Sequence, residues 1–163
     1  MEEPIYIGLI DFDRDQNKEH GSEKIEMFYN HTFTADYQKV MHRLATSVEL
    51  IDVDNPSRVF KVGKALWDTG SMTSCISEKL AKKMGLRHED VGVGITPAGQ
   101  IDVFYYRLNV RISDDIIIPN VKVGAFPLEK HDVDFLIGMD IISKGDLYVE
   151  NRTGKTVITF KFK

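Results

Sequence analysis

The chain has 163 residues, 42% of them hydrophobic and 28% charged, with a formal net charge of −4. That length suits one domain with a core of its own, or a small domain carrying an extension. The acidic balance argues against a nucleic-acid binder, which presents a basic face.

The N-terminus, MEEPIYIGLIDFDRD, starts acidic and lacks the basic segment and apolar core of a secretory leader. Apolar runs such as DIIIP are too short to cross a bilayer, so no membrane association is expected. A single cysteine, Cys75, has no partner for an internal disulfide, which suits a reducing compartment and predicts a cytoplasmic protein.

In chain order, IYIGLIDF and KIEMF read as strands. The segment ADYQKVMHRL carries Tyr37, Val40, Met41 and Leu44 at helical spacing and predicts a short helix. TSVELIDV and RVFKVGKALW flank Asp54-Asn55-Pro56-Ser57, which is turn chemistry, so a β-hairpin is expected whose second strand delivers Asp68. SEKLAKKMGL predicts a helix: Ser77 is a good N-cap, Leu80, Ala81 and Met84 share a face, and Gly85 closes it.

Pro97 and Gly99 mark a turn between two further strand-like runs. In the second run Phe104, Tyr106, Leu108, Val110 and Ile112 alternate, the pattern of a strand with one buried face. IIIPNVKVGAF adds a strand, VDFLIGMDII is an apolar run broken by Gly138, and LYVENRTGKTVITFKF reads as two strands around Asn151-Arg152-Thr153-Gly154. No internal repeat or low-complexity segment appears. The fold class is all-β with one short helix.

The tripeptide Asp68-Thr69-Gly70 is a weak signal alone, but an apolar strand precedes it, Ser71 follows, and a helix begins within about ten residues. With these neighbours the chain resembles the retropepsin-like aspartic proteases, the single-domain relatives of pepsin, over residues 44–163. Asp68-Thr69-Gly70-Ser71 stands where that family has its catalytic loop. Ile95, Thr96, Pro97, Ala98 and Gly99 stand in its substrate-covering flap, and Leu136, Ile137 and Gly138 in the motif behind the loop. The helix after the loop and the GMD that follows Ile137 suit the cellular and bacterial branch. Residues 1–43 have no counterpart in the minimal viral enzyme and are set apart as an N-terminal extension.

The resemblance implies a closed β-barrel active as a two-fold homodimer, hydrolysing peptide bonds without a metal or organic cofactor. The chemistry needs two carboxylates sharing one proton around a water. One Asp-Thr-Gly per chain means that Asp68 of a second copy completes the pair. By the same resemblance Thr69 bonds across the axis, Gly70 permits close backbone approach, Ser71 can donate its hydroxyl to the carboxylate, and the terminal strand TVITFKF contributes to the interface. The competing expectation is a catalytically silent module of the same fold that binds peptides or dimerises.

Other clusters carry less. Asp11, Asp13 and Asp15 imitate the start of a calcium loop, but Gln16 replaces the required Gly and Ser22 the bidentate Glu. His88, Glu89 and Asp90, like His131, Asp132 and Asp134, read as surface. Cys75 reads as a small buried residue rather than a thiol nucleophile.

Overall fold

The computed structural model describes residues 31–96 and 99–163, the side chains of residues 129 and 130 excepted. The expected strands IYIGLIDF and KIEMF, the expected acidic loop at residues 11–15, and the expected flap residues Pro97 and Ala98 lie outside the described residues.

Among the described residues ten strands and two short helices follow one another: β1 (His31–Asp36), β2 (Ala45–Asp52), β3 (Val59–Trp67), β4 (Cys75–Ser77), α1 (Glu78–Met84), β5 (Asp90–Thr96), β6 (Gly99–Ser113), β7 (Ile116–Phe126), β8 (Phe135–Ile137), α2 (Met139–Ile142), β9 (Gly145–Arg152) and β10 (Lys155–Phe162). A 3-10 turn at Leu128–His131 precedes β8. The order β2-β3-β8-β4-β7-β6 closes on itself through a β2–β6 pairing, giving a six-stranded barrel, with β5 added outside β6. The all-β closed barrel expected from the sequence is therefore present. Leu50, Leu108, Val110, Ile118, Phe135 and Ile137 fill it, each no more than 1% exposed.

The hairpin β2–β3 and the turn at 54–57 form as expected. Helix α1 has Ser77 accepting from the Leu80 N–H and Gly85 in the left-handed region at φ 62°, with Leu80, Ala81 and Met84 buried. Its N-cap and C′ glycine are local signals and hold regardless of surroundings. A further single-turn helix, α2, follows Gly138, in the run read only as apolar.

Two expectations are corrected. Residues 37–44 form no helix. Tyr37 N–H donates to Thr156 O (2.9 Å), Thr156 N–H to Lys39 O (3.1 Å) and Met41 N–H to Thr156 Oγ1 (2.8 Å), while Tyr37 Oη donates to Ala45 O (2.7 Å). Backbone groups bonded to a neighbouring strand are unavailable for a helical ladder, so tertiary pairing outweighs a weak helical pattern. Along β6, Leu108, Val110 and Ile112 are buried, but Phe104 is 44% exposed and Val103 is fully buried instead. The C-terminal half of this strand lines the barrel. Its N-terminal half leaves the barrel to pair with β5, and there the opposite face is covered.

A second sheet, β1-β10-β9, is antiparallel throughout. Thr153 and Gly154, both at positive φ (54° and 77°), make the tight β9–β10 turn. The sheet packs on the barrel through aromatics: Phe33 stacks on Trp67 at 6.5 Å, and Phe160 lies 5.3 Å from the same indole. Residues 31–36, within the segment set apart as 1–43, are thus hydrogen-bonded to β10 and packed on Trp67.

Deleting residues 1–43 strips β10 of one of its two strand partners and uncovers Trp67. The fragment 44–163 is expected to melt about 10 °C or more below the full chain, since roughly 1 kcal/mol moves Tm by several degrees in a domain this size. Equal melting temperatures in a thermal scan would show β1 to be dispensable.

Candidate active site

The strand end that delivers Asp68 is built by distant segments. Ala65, Leu66 and Trp67 pair in parallel with Phe135, Leu136 and Ile137, and Asp68 N–H continues the ladder to Ile137 O at 2.9 Å. Trp67 is 2% exposed, and its Nε1 donates to Thr46 Oγ1 at 2.9 Å. An indole held by a hydrogen bond and two rings leaves the residue after it little freedom.

After Trp67 the chain turns sharply. Gly70 N–H donates to Asp68 Oδ1 at 2.8 Å and Ser71 N–H to Asp68 O at 3.3 Å, so the aspartate caps its own turn. A Cβ at Gly70 would lie 3.2 Å from Asp68 Oδ1 and press on the carboxylate. Asp68 and Thr69 are half-buried, at a loop face rather than in the core.

The loop is then stitched to α2. Met139 N–H donates to Ser71 O (2.8 Å) and Asp140 N–H to Met72 O (3.1 Å). These first-turn N–H groups have no acceptor inside the helix, and the loop carbonyls supply it. Ser74, fully buried, accepts from Gly138 N–H at 3.0 Å and donates to Asp140 Oδ1 at 2.7 Å. A Cβ at Gly138 would lie 2.5 Å from the carbonyl carbon of Thr73 and 2.6 Å from its oxygen.

The structure thus brings Asp68, Thr69, Gly70 and Ser71 against Leu136, Ile137 and Gly138. The hairpin holding Ile95, Thr96 and Gly99 ends at the pair Thr96↔Gly99, where Thr96 Oγ1 donates to Gly99 O (2.9 Å) and Gly99 has φ 118°. Ile95 is 84% exposed, so its side chain is not packed on the barrel. The hairpin reaches the loop through β7, which pairs with β6 on one side and with β4, the continuation of the loop, on the other.

One role is corrected. The Ser71 hydroxyl donates to Thr73 O at 2.7 Å and not to the Asp68 carboxylate. Inside the loop the hydroxyl faces this carbonyl two residues on, and the Cys75 sulfur beside it. The pair Ser74–Asp140 escaped the sequence reading. Its one local signal is an acidic residue two positions after Gly138, in the first turn of a helix.

The remaining clusters are surface features. Glu89 pairs with Arg107 (2.9 Å), Asp90 with Lys122 (3.0 Å) and Asp132 with Lys64 (2.6 Å). Cys75 is 7% exposed. Burial is the main cause that pushes its thiol up to about 11; a Ser71 hydrogen bond opposes the rise, and the Asp140 and Asp68 charges add to it. A thiol of this kind is a poor nucleophile at neutral pH.

A protein-family model described as aspartyl protease matches residues 55–141. The chain belongs to the aspartyl protease family. No curated protein matches it. Among solved structures, it is similar to a retropepsin-like aspartic protease from Rickettsia conorii, at 16% identity and TM-score 0.45, over 82% of this chain and 98% of that one. It is also similar to the retroviral protease-like domain of Ddi1 from Leishmania major, at 17% identity and TM-score 0.41, over 73% of this chain and 94% of that one.

Two measurements test this geometry. In Gly138→Ala the new methyl meets rigid backbone, so the variant is expected to lose about 1–3 kcal/mol or more in urea unfolding; an unchanged midpoint would show that the 73–74 segment yields freely. The Cys75 thiol, raised from 9.0 to about 11, favours the protonated form in the fold. Its contribution is complete below the unfolded pKa and is lost as pH rises from about 9 towards about 11. The stability of the native chain relative to Cys75→Ala should therefore fall across that window, by about 2–3 kcal/mol. A difference that stays flat with pH would contradict the burial of the thiol.

Proposed function

We propose that the protein is an aspartic endopeptidase, active as a two-fold homodimer in which Asp68 of each copy contributes one carboxylate. The observation that carries this is the Asp68 loop itself: a half-buried carboxylate at the end of a buried strand, oriented by the Gly70 N–H and fixed from behind by Ile137 and Gly138. One chain supplies one such group, and the reaction needs two. One carboxylate takes a proton from the attacking water while the other, protonated, donates to the scissile carbonyl. Thr69 bridges to the facing loop across the axis. The substrate is an extended peptide, held by strand-like hydrogen bonds beneath the hairpins that contain Ile95–Gly99.

The expected role of the C-terminal strand in assembly takes a specific form. Both edges of β10 are occupied, by β1 and β9. Among the described residues the outer strands of this sheet are β1 and β9, and these are where a strand of a second copy can add.

The deciding experiment is a peptide-library digest with wild type beside Asp68→Asn, from acidic to neutral pH, with sedimentation of both. Asp68→Asn is expected to stay folded and dimeric and to lose cleavage by about 10⁴-fold, the scale seen when one member of a cooperating catalytic set is removed. Wild-type activity is expected to fall on dilution below the dimer dissociation constant. Undiminished cleavage by Asp68→Asn, or a fully active monomer, would overturn the proposal. A wild-type dimer that cleaves no peptide would instead be the silent binding module.

A further inference from the structure

The hairpin β5–β6 is anchored at its root by an unusual set of contacts. Gly92, Gly94 and Gly124 present bare backbone, and larger side chains lie on it. A Cβ at Gly94 would fall 2.5 Å from Val103 Cγ2 and 2.9 Å from Cε1 and Cζ of Phe126. A Cβ at Gly124 would fall 2.9 Å from Phe126 Cε2, 2.9 Å from Val103 Cγ1 and 3.3 Å from Tyr105 Cε1. At Gly92 the Tyr105 ring is 3.0 Å away. Val103, on a strand that has left the barrel, is fully buried under this cover.

Tyr105 and Val103 belong to the hairpin itself. Phe126 does not. It ends β7, and its backbone pairs with Ser77 at the end of β4, the strand that continues the Asp68 loop. Its ring crosses Val103 to reach Gly94 on the far strand. One side chain therefore connects the barrel strand beside the catalytic loop to the hairpin root. Nearer the base, Lys122 Nζ sits 4.5 Å over the Tyr105 ring and pairs with Asp90 of β5 at 3.0 Å.

We infer that Phe126 is a positioning residue that clamps the root of the hairpin through Gly94 and Val103. Its consequence for catalysis rests on the peptidase reading. A hairpin held at the correct height needs less ordering when a peptide binds beneath it. Loosening the clamp makes each binding event bear that ordering, which raises KM. The Asp68 loop keeps its own hydrogen bonds and kcat changes little. The glycines are required because any side chain at residue 94 displaces the ring that does the clamping.

The test compares Phe126→Ala, Phe126→Leu, Gly94→Ala and the double variant Gly94→Ala/Phe126→Leu, all in the full chain. Hydrogen exchange over residues 91–95 and 101–105 needs no activity. Phe126→Ala and Gly94→Ala are expected to speed it about tenfold relative to β2–β3, with KM up about tenfold and kcat within about threefold. Phe126→Leu, which keeps apolar bulk, is expected to restore most of both. In the double variant the smaller side chain accommodates the new methyl, so the effects fall short of additive. Should Phe126→Ala not fold, Gly94→Ala and Phe126→Leu carry the same comparison. Unchanged hairpin exchange in folded Phe126→Ala or Gly94→Ala, or a loss confined to kcat, would overturn the clamp. If wild type cleaves no peptide, the peptidase reading fails, while the exchange data still decide whether Phe126 holds the hairpin.

Discussion

No side chain fits at residue 138, and the site depends on that. With a Cβ there only 2.5 Å from the backbone of Thr73, the loop after Asp68 and the start of α2 could not meet backbone to backbone. Their contact solves a problem that neither segment solves alone. A tight loop leaves carbonyls pointing away from its own chain, and a one-turn helix leaves its first N–H groups without acceptors. Pressed together, each satisfies the other: Ser71 O and Met72 O take the N–H groups of Met139 and Asp140. Ser74 completes the junction by accepting from Gly138 and donating to Asp140. Buried polar groups need partners, and here those partners fix the position of Asp68 within a short stretch of backbone.

The junction is anchored from a second direction. Trp67 immediately precedes Asp68, and its indole lies between the barrel and the second sheet, touching Phe33 and Phe160. The outer sheet therefore bears on the Asp68 loop through one aromatic residue. Ile141 and Ile142 of α2 are buried as well, so the helix that receives the loop carbonyls is held by apolar packing and not only by the loop. Hydrophobic contacts hold the two frames, and hydrogen bonds set the short distances between them.

Features carried by local chemistry were legible in the sequence. Ser77 and Gly85 announce both ends of α1. Asp54–Ser57 and Asn151–Gly154 announce hairpins, because turn residues act through their own backbone. The Asp68 loop and Leu136–Gly138 were legible as a pair through family resemblance. What escaped depends on partners far along the chain. The stripe Tyr37, Val40, Met41, Leu44 has helical spacing, yet Thr156 takes the backbone bonds. Phe104 and Val103 exchange inside and outside because β6 passes from barrel to hairpin, and period-two reading assumes one environment along a strand. Ser71 has two acceptors within reach of a small loop, and only the folded geometry shows that it serves Thr73. The Ser74–Asp140 bond spans 66 positions, and its one local trace is the acidic residue in the first turn of α2.

The carboxylate at the centre is held by few bonds among the described residues. An ionised carboxylate can accept about four hydrogen bonds. Among the described residues the Gly70 N–H donates one, while the Ser71 hydroxyl turns to Thr73 O instead. A structural aspartate at the end of a buried strand would ordinarily be saturated, since an unsatisfied buried charge is costly. Half-burial lowers that penalty, because a half-buried carboxylate stays in contact with solvent. In the proposed homodimer a water and the second carboxylate would approach this solvent-facing side. The fold thus fixes Asp68 through its backbone while its carboxylate keeps a solvent-facing side, which is the division the proposed shared-proton site demands.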